Sequence, residues 1–331
     1  MIGNNERHVE RKIISILKIL SEAREPVGAR IISRQLKSYG IELTERAVRY
    51  HLKLMDERGL TALSGRSGRV ITPSGREELK NALVGDKVGF VISRIELLAF
   101  RTTFDWKRRV GGVPVNFSFF SKDEFPAALK AMKGAFESGL CVSDLVAVAE
   151  GGETLGEITV PAGKVGFATV CSIIVNGALL KAGIPMDSRF GGILQIRNNK
   201  PLRFVELIHY AGSSLDPSEI FIRGGMTDVM GIVKEGNGKI LANFREVPAQ
   251  SRQLAETVIA QLEEADLRGV VVIGDTSELV CEVPVDFNKV GMILRGGLNP
   301  VAAALEAGVQ VDNIAMGGII DYQDLVHFRD L

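Results

Sequence analysis

Cysteine is scarce in this 331-residue sequence, with only Cys141, Cys171 and Cys281. An odd count with no C-x-x-C excludes a disulfide framework and leaves no zinc motif. Long apolar runs are missing too. The longest, Phe167 to Ile184, is interrupted by Asn176 and Lys181 and is too broken to span a membrane. Glu6, Arg7, Glu10, Arg11 and Lys12 charge the N-terminus too heavily for a secretory leader. There is no P-loop and no Ser-His-Asp set, and Asp216, Glu219, Asp228 and Asp321 are too scattered for a catalytic metal cluster. These absences predict a cytoplasmic, non-membrane protein that is not an enzyme and carries neither metal nor cofactor.

Net charge is also absent, since 40 Lys+Arg balance 40 Asp+Glu, but the balance is uneven along the chain. Residues 1–80 hold 16 basic and 10 acidic side chains, against 24 and 30 in residues 81–331. A basic head on an acidic body predicts a polyanionic partner for the head alone. The head reads as helix, helix, helix, hairpin, helix. The first helix runs from about Arg7 to Ala23. The second follows Pro26, with Ile31, Ile32 and Leu36 buried, and stops near Gly40. Thr44 caps the third, and Gly59 ends it. In that third helix Val48, Leu52 and Met55 form an inward stripe, while Arg46, Arg49, Tyr50 and Lys53 form an outward one. Two short strands around a glycine turn follow, carrying Arg66 and Arg69, and a last helix covers about Ser74 to Leu83. The pattern resembles the winged helix-turn-helix domains of prokaryotic transcription regulators. That resemblance assigns Thr44, Arg46, Arg49, Tyr50 and Lys53 to the DNA-facing helix, and Arg66 and Arg69 to the wing. His51 belongs to the packed side.

Residues 1–84 therefore form the expected DNA-binding domain and residues 85–331 a second one, with Gly85-Asp-Lys87 as hinge. The second domain repeats itself. Lys164, Val165, Gly166, Leu180, Ala182, Gly183 and Asp187 all recur 125 positions later, at Lys289 through Asp312. Gly191-Gly-Ile193 returns at Gly317-Gly-Ile319, and Asn116-Phe117 at Asn243-Phe244. The body is thus an α/β domain of two similar units, about 88–200 and 201–326, and a crevice between such halves is a favoured ligand site. The loops entering the second helix of each unit are Thr169-Val-Cys-Ser-Ile173 and Leu294-Arg-Gly-Gly-Leu-Asn-Pro300. Helix N-termini bind anions through free N–H groups, and Gly296 and Gly297 allow close approach while Arg295 offers a forked cation. Two such loops could hold both ends of a dicarboxylate; the alternative is a pair of ordinary strand-to-helix turns. Cys171 at one of them is either a thiol of lowered pKa or a small buried hydrophobe.

The segments Val165-Gly-Phe-Ala-Thr-Val-Cys-Ser-Ile-Ile-Val-Asn-Gly177, Ser188-Arg-Phe-Gly-Gly-Ile-Leu194, Phe204–Pro217 and Gly238–Pro248 resemble NrpR, the archaeal nitrogen-regulatory repressor family. The resemblance covers essentially the whole chain. It implies a dimeric repressor of nitrogen-fixation and nitrogen-assimilation genes that binds palindromic double-stranded operators and is released by 2-oxoglutarate. It places effector response at Val170-Cys171-Ser172. A dianion would suit the two helix N-termini with Arg295 or Arg189, which makes the expected effector set Cys171, Ser172, Arg189, Arg295, Gly296, Gly297 and Asn299. Some members carry two regulatory modules, whereas this chain has one, so a second NrpR-like protein is a further expected partner. Two other readings stay open at this stage. One is a winged-helix co-repressor or interaction module, and the other is a nucleic-acid-processing enzyme of the kind that begins with a similar head.

Overall fold

The computed structural model describes residues 4–23, 25–37, 41–65, 68–82 and 89–331. The chain divides into two compact units, residues 1–94 with 212–214, and residues 95–211 with 215–331. The expected boundary between residues 84 and 85, and the hinge at 85–87, lie outside the described residues.

The first unit contains α1 (Asn4–Glu22), α2 (Ala29–Leu36), α3 (Glu45–Glu57), the hairpin β1 (Thr61–Ser64) and β2 (Gly68–Ile71), and α4 (Pro73–Asn81). Its core is aliphatic: Ile13, Ile16, Leu17 and Leu20 of α1 meet Ile32 and Leu36 of α2 and Val48, Leu52 and Met55 of α3. The helix α2 starts after Gly28 rather than directly after Pro26, and Ile31 faces solvent. Ile32 and Leu36, four apart, are enough for its single buried stripe. Thr44 does cap α3, accepting the Ala47 N–H at 3.2 Å. Thr72 likewise accepts from Gly75 to start α4. Gly75 is fixed by space, because a Cβ there would collide with the Leu60 carbonyl.

The second unit begins within α5 (Phe90–Arg101) and is built on two five-stranded sheets whose pairings are all antiparallel. The first repeat supplies β3 (Gly112–Ser121), α6 (Phe125–Glu137), β4 (Leu145–Glu150), the small hairpin β5 (Thr154–Leu155) and β6 (Ile158–Thr159), β7 (Lys164–Val170), α7 (Ile173–Lys181) and β8 (Asp187–Arg197), and β9 (Lys200–His209) opens the second. The helices α8 (Pro217–Arg223) and α9 (Val229–Glu235) follow. The second repeat runs through β10 (Gly238–Pro248), α10 (Arg252–Glu263), β11 (Val270–Thr276), β12 (Lys289–Arg295), α11 (Asn299–Glu306), β13 (Val311–Asp321) and β14 (Val326–His327).

The two sheets share a four-strand order, β13-β3-β7-β4 and β8-β10-β12-β11, with β14 added beyond β4 in one and β9 beyond β8 in the other. Each repeat therefore gives its last long strand to the other repeat's sheet. β8 pairs with β10, setting Phe190 against Phe244, and β13 pairs with β3. The recurring Lys and Asp residues stitch this exchange: Lys289 lies 2.9 Å from Asp187, and Lys164 lies 3.6 Å from Asp312. The recurring Gly-Gly pair answers to packing. A Cβ on Gly317 would run into the Phe117 ring, and one on Gly191 would lie 2.9 Å from Pro217. Central strands such as β3 are buried along nearly their whole length, which is why they read as continuous apolar runs instead of alternating ones.

Candidate functional site

In the first unit, α3 presents its polar stripe to solvent. Arg46, Arg49, Tyr50 and Lys53 are all exposed, Tyr50 to 62%. Among the described residues, Arg49 and Lys53 form ion pairs within the helix, to Glu45 at 2.5 Å and Glu57 at 4.0 Å. Exposed i,i+4 pairs are worth about 0.3–0.5 kcal/mol, so a phosphate or base edge can displace them. Arg66 lies outside the described residues. Arg69, expected on the wing, donates from Nε to Asp56 at 2.7 Å, and its backbone N–H and C=O pair with Val27. It braces the base of the wing against α3. His51 is buried against the core, and that burial, followed by the Lys12 charge, lowers its pKa. It is a packing residue.

In the second unit the two helix-entry loops meet. A narrow cleft is lined by Cys171, Ser172 and Ile173 at the start of α7 and by Gly296, Gly297 and Leu298 before α11. The recurring asparagines, Asn116 and Asn243, stand on the same wall. Gly297 is required here. A Cβ would collide with the Val170 carbonyl and lie 2.5 Å from Asn116 Nδ2. Asn243 Nδ2 donates to Ser172 Oγ at 3.1 Å, and its Oδ1 accepts from the Tyr210 hydroxyl. Asn116 Oδ1 accepts the Met316 N–H at 3.0 Å.

The cation of this cleft is Arg245, which the sequence reading did not single out. It is 1% exposed, lies with its guanidinium carbon 4.8 Å from the centre of the Tyr210 ring, and has no acceptor for Nε or Nη1. Burying donors of a charged group without acceptors costs several kcal/mol. An anion entering the cleft would supply those acceptors. Asp216, also on the wall, uses its Oδ1 to cap α8 through Ser218 and Glu219 N–H groups.

The two arginines expected in this role stand elsewhere. Arg295 donates from Nη1 to the carbonyls of Arg268 and Val270, at 2.6 and 3.0 Å. Arg189 is committed to Asp286 at 2.6 Å and Glu246 at 3.1 Å. Asn299 is likewise outside the cleft lining. It accepts from Leu241 N–H and donates to the Leu241 and Leu140 carbonyls, tying α11 to β10. Cys171 does line the cleft, but burial pushes its thiol up to about 11, so it is the neutral, small hydrophobe of the two alternatives. Among the described residues, Asp187, Glu246 and Asp286 have carboxylate oxygens within 4.8 Å of one another, yet Arg189 and Lys289 already neutralise them. No described helix is long and apolar enough to cross a membrane.

Residues 88–327 match the family described as NrpR regulatory domains NRD1 and 2, and residues 14–79 match the ribonuclease R winged-helix domain. The chain is 41% identical over 317 residues to the global nitrogen regulator NrpRI of Methanosarcina mazei, covering 96% of this chain and 98% of that protein. It is 37% identical to the global nitrogen regulator NrpR of Methanocaldococcus jannaschii, covering 96% of this chain but 55% of that longer protein. Its counterpart in Methanococcus maripaludis is 36% identical, with 90% and 52% covered. The crystal structure of a nitrogen repressor-like protein from Methanococcus jannaschii superposes with a TM-score of 0.62 at 28% identity, over 73% of this chain and 99% of that one. With a winged-helix head, a duplicated α/β body and relatives of this closeness along its length, the chain belongs to the NrpR family of nitrogen-related transcriptional regulators.

Proposed function

We propose that this protein is a DNA-binding repressor of nitrogen-fixation and nitrogen-assimilation genes, working as a dimer on a palindromic operator and released by 2-oxoglutarate. The single observation that carries the effector half is Arg245, buried with two N–H groups lacking acceptors, in the cleft where α7 and α11 both begin. A small dicarboxylate matches that chemistry. One carboxylate would accept from the Arg245 fork. The other would sit among backbone N–H groups near a helix start, where Gly296 and Gly297 keep the approach open. Asn116, Asn243 and the Ser172 hydroxyl would orient the ligand without adding charge.

The DNA half rests on the exposed Arg46, Arg49, Tyr50 and Lys53 face of a capped helix in a winged-helix unit. Release requires that the effector bind the operator-competent and released arrangements with different affinity. A coupling of about 1–3 kcal/mol is typical of such linkage. The chain spans about half the length of two of its NrpR relatives, so a second NrpR-like protein is an additional candidate partner on some operators.

Titration of 2-oxoglutarate against an operator–protein complex tests this reading. Wild-type protein should dissociate as the metabolite rises. Arg245→Met, which keeps the apolar stem and removes the fork, should bind the operator normally and stay bound. Retention of normal release by Arg245→Met would remove the cleft from the mechanism, and a wild-type complex indifferent to 2-oxoglutarate would remove the effector.

A further inference from the structure

The strand β9 brings several exposed aliphatic side chains onto one sheet edge. It is ten residues long, pairs with β8 from Phe190↔His209 to Arg197↔Lys200 with register shifts at Val205 and Leu202, and ends its sheet among the described residues. Three aliphatic side chains on it stand in water: Leu202 at 42%, Val205 at 37% and Leu207 at 44% exposure. The edge strand β13 of the other sheet is partly closed, since the Ala315 N–H there donates to Glu219 of α8 at 2.9 Å. A long edge strand carrying exposed aliphatics is a template for another strand.

Its sequence specifies what kind of strand. Arg203 sits opposite Gln195 and Glu206 opposite Ile193, and the register shift at Val205 between them brings both charges to one face of the sheet. An antiparallel self-pairing with its two-fold axis between Phe204 and Val205 sets Arg203 against Glu206 of the second copy, twice. The same register sets Leu202 against Leu207, twice, and Phe204 against Val205. Sliding by one residue either way opposes each charge to an apolar side chain. Centring on Arg203 or Glu206 opposes like charges.

We propose that β9 is the dimer seam of this protein, with residues 202–207 of two copies pairing in that register to join their sheets edge to edge. The assignment rests on the dimeric-repressor reading above. The operator titration does not depend on which surface dimerises, so the two ideas fail separately.

Light scattering or sedimentation equilibrium on the full chain decides it, with Arg203→Glu, Glu206→Arg and the double reversal. The wild type should be a dimer. Each single reversal opposes two pairs of like charges and should weaken the dimer roughly tenfold or more, and the double reversal should restore it. A monomeric wild type, or a dimer indifferent to both single reversals, overturns the proposal. Should a reversal unfold the chain by circular dichroism, the Leu202→Cys, Leu207→Cys double variant supplies the answer. On oxidation it should form a covalent dimer that the wild type does not, and failure to cross-link equally overturns the seam.

Discussion

Two residues of the body act through the space around them, Gly297 by having no side chain and Arg245 by stacking on Tyr210 with two N–H groups that meet no acceptor among the described residues. The hydrogen a Cβ would replace at Gly297 faces the Val170 carbonyl and the Asn116 amide, both fixed by sheet pairing and hydrogen bonds. Gly297→Ala should therefore force the two helix-entry loops apart. We expect a loss of roughly 1–3 kcal/mol in stability by denaturant unfolding, the usual scale of overpacking, together with weaker 2-oxoglutarate binding by calorimetry. The meeting of Gly296, Gly297 and Cys171 at one cleft was legible because the same strand-to-helix loop occurs twice. Arg245 was not legible from the duplication, since its counterpart two residues beyond the first asparagine is Ser118. The available signal was local: an arginine in β10, a strand buried on both faces, has no solvent to reach. Arg295 and Arg189 attracted attention by their place in the loops. Their guanidinium groups found carbonyls and carboxylates closer at hand.

At the scale of elements, α3 and its wing divide labour that the sequence merged. The helix period alone separated the buried Val48, Leu52 and Met55 from the exposed Arg46, Arg49, Tyr50 and Lys53. Nothing in that period reveals that Arg69 turns back to Asp56, because the ion pair depends on how the hairpin folds over the helix end. The two arginines should accordingly behave differently. Arg49→Ala should weaken operator binding and flatten its sequence preference by an amount on the order of 1–3 kcal/mol if the side chain reads a base, measured by gel shift on matched and altered operators. Arg69→Ala should leave the preference among operators unchanged and lower the thermal stability of the head. Loss of sequence preference in Arg69→Ala, with none in Arg49→Ala, would reverse the assignment.

For the whole molecule, the offset of about 125 residues showed that the body is duplicated, and the alternation of strands and helices showed its class. It did not show that the copies trade strands, because similarity between segments says which are alike and never which are neighbours. The trade follows from pairing: β8 completes the sheet of β10, and β13 the sheet of β3. The Lys164–Asp312 and Lys289–Asp187 contacts bridge the copies at matching points. Each repeat alone would expose one long strand and leave a sheet open at β3 or β10. Residues 1–225 and 226–331 produced separately should each give a poorly folded body by circular dichroism, and refolding them together should recover the native spectrum. Independent folding of either piece would contradict the exchange.

The arrangement is that of a domain-swapped pair whose members share one polypeptide. Tethering makes their association intramolecular, so it is indifferent to dilution. The cleft, which takes one wall from each member, is then assembled as an obligatory by-product of folding, and neither wall can form without the other.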